Sequence, residues 1–176
     1  LTAAIRAGAD AVYFGAGDFN ARRNAKNFTD EELTQAFRDC RLRGVKTYVT
    51  VNTLVTDREL PRLKPLIARL SDLGADALIV QDLGVARLIR DHFPRLVLHA
   101  STQMAVHNAA GASALRELGF SRVVLARELT FEEIRQIVRV SGVEVEIFVH
   151  GALCYSVSGL CLFSSHMTGR SGNRGR

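Results

Sequence analysis

Five times along its 176 residues the chain writes a helix, a glycine and then a β-rich run. "AAIRAGADAVYFG" leads into Ala11–Gly15, and "FRDCRLRGVKTYVTVN" leads into Lys46–Asn52. "IARLSDLGADALIVQD", "LRELGFSRVVLARE" and "IVRVSGVEVEIFVHG" lead into Ala77–Gln81, Arg122–Ala126 and Val145–Val149. A sixth run, "RLVLHAS", follows a short helix over Arg87–His92 and Pro94. Glycines 8, 44, 74, 119 and 142 stand where a helix C-terminus needs a left-handed residue. Valine, isoleucine and leucine fill the strands without clean alternation, the pattern of strands covered on both faces.

Strands that alternate with helices require a parallel sheet joined by right-handed crossovers. A repeat of roughly 19 to 35 residues suits a (β/α) barrel better than a two-sided open sheet. The first strand–helix turn, "YFGAGDFNARR", lacks the GxGxxG of a dinucleotide site. The fold class expected is therefore α/β, a TIM-barrel-like parallel barrel that six strands leave incomplete. The chain starts inside a helix without methionine and stops on "SGNRGR". Residues 1–176 are read as a partial barrel domain of a longer protein, ending at the start of a cysteine-containing segment.

Composition narrows the setting. Nearly half the residues are hydrophobic and 23% are charged, with no tract long enough to span a bilayer. Three cysteines do not make a secreted disulfide framework, so a cytoplasmic, reducing compartment is expected. The net charge of +5 includes Arg22, Arg23 and Lys26 early in the chain, and Arg170, Arg174 and Arg176 at its end. Such a basic surface favours phosphate-rich partners such as RNA, although a plain solvated surface fits the same charge.

Reacting groups in a (β/α) barrel come from the C-terminal ends of the strands. Here those ends carry Asn20, Asn52 and Thr53, Gln81 and Asp82, Ser101 to Gln103, Arg127 and Glu128, and His150. Asp82 and Thr130 are also of the type that caps helices. A substrate pocket is expected at this end, with Asn52, Gln81, Gln103 and Arg127 binding and Glu128 and His150 in acid–base roles. Those five from Asn52 to His150, Arg127 aside, are expected to converge on one barrel face. No GxSxG elbow, HExxH pair or Ser-His-Asp order occurs. A Cys154–His150 nucleophilic pair lacks an orienting third group.

The stretch "EIFVHGALCYSVSGLCLFSS" places Cys154 and Cys161 on a short loop after the last strand. A C-x6-C spacing lets both thiolates reach one metal or cluster, and two buried thiols fit it as well. Cys40 lies inside a helix, facing the core, and is a poor third ligand. With few anchors between Tyr155 and Ser158, the loop is expected to be mobile without metal.

This stretch closely resembles the signature of the collagenase-like peptidase family U32, bacterial peptidases of unassigned catalytic type. Glu146, Phe148, Gly151, Ala152, Leu153, Cys154, Gly159, Cys161 and Ser164 match in register, and Phe163 departs from an aliphatic position. "AIRAGADAVYFGAGDFNAR", "LHASTQMAVHN" and "RVVLAREL" extend the resemblance over nearly the whole chain. The resemblance implies an iron–sulfur enzyme supporting hydroxylation of an rRNA or tRNA base. It also implies that Cys154 and Cys161 hold part of a 4Fe–4S cluster, with two more cysteines beyond residue 176. The family's name carries the alternative, a peptidase acting on a peptide. A third reading is an accessory subunit that carries a cluster for ring hydroxylation, as in ubiquinone synthesis.

Overall fold

The computed structural model describes residues 1–21, 28–152, 154–163 and 166. Leu153, Ser164, and the basic residues Arg22, Arg23, Lys26, Arg170, Arg174 and Arg176 lie outside them. The elements run α1 (Thr2–Arg6), β1 (Ala11–Gly15), α2 (Asp30–Leu42), β2 (Lys46–Val51), α3 (Leu60–Leu73) and β3 (Ala77–Val80). They continue as α4 (Leu83–His92), β4 (Leu98–Ala100), a 3-10 turn (Thr102–Met104), α5 (Ala109–Glu117), β5 (Arg122–Val124), α6 (Phe131–Ser141) and β6 (Glu144–Glu146).

All six strands are parallel and each pairs with its successor, in the order β1-β2-β3-β4-β5-β6. A doubly wound sheet would reverse direction at a switch point, whereas unbroken sequential order curls the sheet into a half-barrel. Alternate strand residues sort to its two faces. Val49, Val51, Leu78, Val80, Leu98, Ala100 and Val123 share one core with Leu33, Leu63, Ile67, Leu70, Val85, Ile89 and Ile137 of the helices. The concave face instead carries Tyr48, His99, Arg122, Glu144 and Glu146. Arg122 lies 5.0 Å from the centre of the Tyr48 ring and donates to Glu144 at 2.6 Å and Glu146 at 3.0 Å.

Helix boundaries follow local chemistry. Thr29 and Thr130 each form a capping box, with Glu32 and Glu133 respectively. Asp82 accepts from the Val85 amide, which starts α4 at Leu83 rather than near Arg87. All five expected helix-ending glycines have positive φ. Cys40 is fully buried against Val12 and Val45, and burial pushes its thiol pKa up.

Strand ends differ from expectation on the later strands. β5 stops at Val124, because the Ala126 amide turns away to the Val106 carbonyl. β6 covers Glu144–Glu146 rather than Val145–Val149. Leu125 supplies the last backbone bond, to the Glu146 carbonyl, and beyond it no described neighbour pairs with Ile147 to Val149.

Candidate functional site: a clamped two-cysteine loop at the barrel mouth

The C-terminal strand ends are tied to one another by buried polar side chains. Asn52, just past β2, accepts from the Ala21 amide at 3.1 Å and donates to the Ser101 hydroxyl at 3.2 Å. The Ser101 oxygen also accepts from the Gln103 amide at 3.2 Å. Asn52 thus braces the connection after β1 against the 3-10 turn after β4. Gln81, past β3, donates at 3.5 Å to the Gln103 carbonyl, a long bond. Its Oε1 is buried without a partner among the described residues, as is Thr53 Oγ1. An unmade bond to a buried polar atom is costly, so these two atoms mark where the mouth has hydrogen-bonding capacity left.

Arg127 and Glu128 follow β5 and turn onto the cysteine loop. The Arg127 backbone amide and Nε both donate to the Ser158 hydroxyl, at 3.2 and 3.3 Å. Its Nη1 reaches the Cys154 carbonyl at 2.9 Å and its Nη2 the Ser156 carbonyl at 2.8 Å. Glu128 accepts from the Ser158 amide at 2.9 Å and from its hydroxyl at 3.2 Å. Burial alone would raise the Glu128 carboxyl, but the Ser158 bonds and the Arg127 charge outweigh it and hold its pKa below the usual value.

His107 stands behind the carboxylate, its Nε2 at 3.3 Å from Glu128 and its Nδ1 at 2.6 Å from the Ala105 carbonyl. Ala105 is the one described non-glycine residue with positive φ, at 54°, and this left-handed turn aims its carbonyl at the imidazole. The ring can donate to both oxygens only as an imidazolium.

Within the loop, the Leu160 amide bonds to the Val157 carbonyl, closing a four-residue turn with Gly159 at φ 77°. A positive φ at the third position is the mark of a type II turn. A side chain there would run into the Gln103 carbonyl, so glycine is what seats the turn against the 3-10 segment. The reversal brings the thiols together. Hydrogen bonds from the Phe163 amide, the Ser156 hydroxyl and the Cys154 thiol, outweighing burial, lower the Cys161 pKa. Cys154 is exposed, Cys161 is half-buried and neither is in a disulfide, so the reading of two buried thiols does not hold.

His150 sits on the exposed segment past β6 and makes no hydrogen bond or ion pair with another described residue. Of the polar strand-end residues, Asn52, Gln81 and Gln103 form one bonded group, and Arg127 and Glu128 form another with the loop; Gly159 on Gln103 links them. Asp82 and Thr130 are helix caps, as expected. The loop is not short of anchors: Arg127, Glu128 and Gln103 supply them across sequence separations that no local pattern records. Ser158 falls between the fixed positions of the signature, and His107 lies in "LHASTQMAVHN" with nothing local to pair it with Glu128.

A parallel half-barrel with a two-thiol loop across its mouth defines a class of (β/α)-barrel proteins. The model of peptidase family U32 matches residues 1–176, and the chain belongs to that family. It is 44% identical over 172 residues to a 23S rRNA 5-hydroxycytidine synthase of Escherichia coli, covering 98% of this chain and 26% of that protein. It is 39% identical over 173 residues to a tRNA hydroxylation protein of Escherichia coli, covering 96% and 37%. A collagenase of Porphyromonas gingivalis is 41% identical over 191 residues, covering 99% and 44%. The chain thus spans between a quarter and under half the length of these curated relatives. The solved structure of the U32 peptidase Mk0906 shares the fold, with a TM-score of 0.68 at 18% identity over 80% of this chain and 60% of that one. No helix among the described residues is long and apolar enough to cross a membrane.

Proposed function

We propose that this domain belongs to an iron–sulfur-dependent enzyme that supports hydroxylation of an rRNA or tRNA base in the cytoplasm. The observation that carries the reading is the pair of free, accessible thiols on one clamped loop, in a chain whose relatives include proteins named for rRNA and tRNA hydroxylation. The donor set fits part of a cluster site. Thiolates are the usual ligands of iron–sulfur clusters, and one of these two thiols is already acidified by its neighbours. No group of three or more His, Cys, Asp or Glu ligands occurs among the described residues. Two further cysteines would therefore have to come from outside them. Bound there, a cluster would supply one-electron chemistry beside the barrel mouth.

The chain's own residues would do the rest. Gln81 and Gln103 are the proposed contacts to the RNA base at the mouth; the Gln81 Oε1, buried and unpaired among the described residues, would accept from an N–H of a base edge once a side-chain rotation uncovers it. His150, exposed and uncommitted, is the acid–base candidate. Glu128, ionised and engaged with Ser158, serves to place the loop. The net charge of +5 supports a phosphate-bearing partner.

Peptide cleavage is the second reading, favoured by the collagenase relative. Against it, the Ser158 hydroxyl donates to Glu128, and His107 lies across the same carboxylate, so serine and imidazole do not form a nucleophile–base pair. An accessory, cluster-carrying subunit is the third.

The test uses the full-length protein purified without oxygen, and a deletion strain whose rRNA and tRNA nucleosides are read by mass spectrometry. Cys154→Ser and Cys161→Ser should each remove iron and the RNA modification together. Cys154→Ser with iron retained and peptide cleavage lost would favour the peptidase. Iron and modification both intact in either variant would end the ligand role.

A further inference from the structure

We propose that Arg127 is the positioning residue of the cysteine loop, holding Cys154 and Cys161 side by side before any cofactor arrives. Every bond in the clamp runs between protein groups. The guanidinium presents donors in a rigid planar fork, and here they engage residues 154, 156 and 158, alternate positions along the loop. The loop bends at Tyr155 and Ser156, and the planar fork spans the Cys154 and Ser156 carbonyls on either side of that bend. The Arg127 side chain is only 17% exposed, so its charge has to keep these partners.

Ser158 is the hub of the arrangement. It is 3% exposed, accepts twice from Arg127 and donates twice to Glu128. Gly159 then turns the chain against Gln103, and the Val157–Leu160 turn sends the chain back toward Cys161. Arg127 itself lies three residues past β5, so the wall of the barrel sets where the thiols stand. A lysine at 127 keeps the charge but concentrates its donors on one atom and cannot span residues 154 to 158. The purpose assigned to the clamp, receiving a cluster, rests on the reading above; the clamp itself does not.

The experiment takes the full-length, metal-free protein and compares wild type with Arg127→Lys, Arg127→Met and Ser158→Ala. Two quantities are read: amide exchange at Ser158 and Leu160, and binding of phenylarsine oxide, which needs two neighbouring thiols. Peptide mass mapping assigns the bound arsenic to the 154–161 segment. Loss of charge-assisted bonds should speed exchange at these amides roughly ten- to hundredfold and weaken arsenical binding by a similar factor. Lysine should behave like methionine, since geometry rather than charge is lost. Wild-type exchange and arsenical binding in both Arg127 variants would overturn the proposal, as would full rescue by lysine. If the Arg127 variants fail to fold, Ser158→Ala decides by the same two readouts. Iron is measured separately after anaerobic reconstitution: a clamp that responds as expected in a protein that binds no iron sustains the positioning role and removes the cluster reading.

Discussion

Leu70 and Ser158 are almost equally buried, at 0% and 3% exposed, yet they depend on their surroundings in different ways. Leu70 belongs to an apolar layer in which helices α2 to α6 all pack against one face of the sheet. Its stabilisation is spread over many contacts with no preferred direction, and neighbours can partly relax around a change. Ser158 is held by four hydrogen bonds to two residues, three of them to the side chains of Arg127 and Glu128 and one to the Arg127 backbone amide. Each has a required direction, and little apolar area backs them up. The helix layer therefore carries the stability of the domain, and the loop carries its geometry. A lesion in one should leave the other nearly untouched.

The strongest way to break that separation is Leu70→Ala. It should cost about 2–5 kcal/mol in denaturant unfolding, the usual range for a buried leucine. Amide exchange at Ser158, measured under native conditions, should still exceed global unfolding only by the wild-type margin. A selective loss of loop protection in this variant would show that the two regions are coupled.

A second probe lies on the concave face, where the small apolar cluster of Tyr48, Ala77 and Ile79 meets buried polar groups. His99 is 4% exposed beside Tyr48, and its Nδ1 has no partner among the described residues. Burial first, then the charge of Arg122 and Lys46, outweigh Glu144 and push its pKa down to about 4. The unfolded chain, near the ordinary 6.5, takes up the proton first, so acidification favours unfolding. Stability is fully present above about 6.5 and falls as pH drops toward 4. Glu144, held below its ordinary 4.5 by Arg122, adds its own loss only at lower pH. His99→Gln should flatten the pH dependence of unfolding between about 6.5 and 4.5, which urea titrations at stepped pH would measure. An unchanged slope would mean that the imidazole is not held neutral.

The smallest expected effect tests whether directional bonds matter for geometry in general or only at the mouth. Thr29 caps α2, outside the cysteine loop, in a reciprocal bond pair with Glu32. Thr29→Ala should cost about 1 kcal/mol and shift the thermal midpoint by a few degrees at most. Phenylarsine oxide binding should not change. If it did, the loop would depend on the whole helical layer rather than on Arg127.

Much of this was legible before any coordinates. Glycines 8, 44, 74, 119 and 142 announced the helix ends, and the helix–strand alternation announced the parallel order. Helix caps at Asp82 and Thr130 could be named because a cap is a short-range motif. The strand after Gly142 was misplaced, because "VEVEIFV" keeps its β-forming composition beyond the point where a paired neighbour ends. Composition reports what a segment can do, and pairing decides how far it does it.

The candidate site divides along the same line. That Cys154 and Cys161 share a loop, and that Gly159 must turn it, is written in eight consecutive residues. That Arg127 holds this loop, Asn52 braces two other connections and Glu128 is spent on Ser158 is not. Arg127 lies 27 to 31 residues from the groups it bonds, and Asn52 lies 49 from Ser101. Periodicity and capping arise between residues a few positions apart, so the sequence alone determines them. Contacts across the barrel mouth exist only once six strands have curled in order, because that curl is what brings their polar ends together.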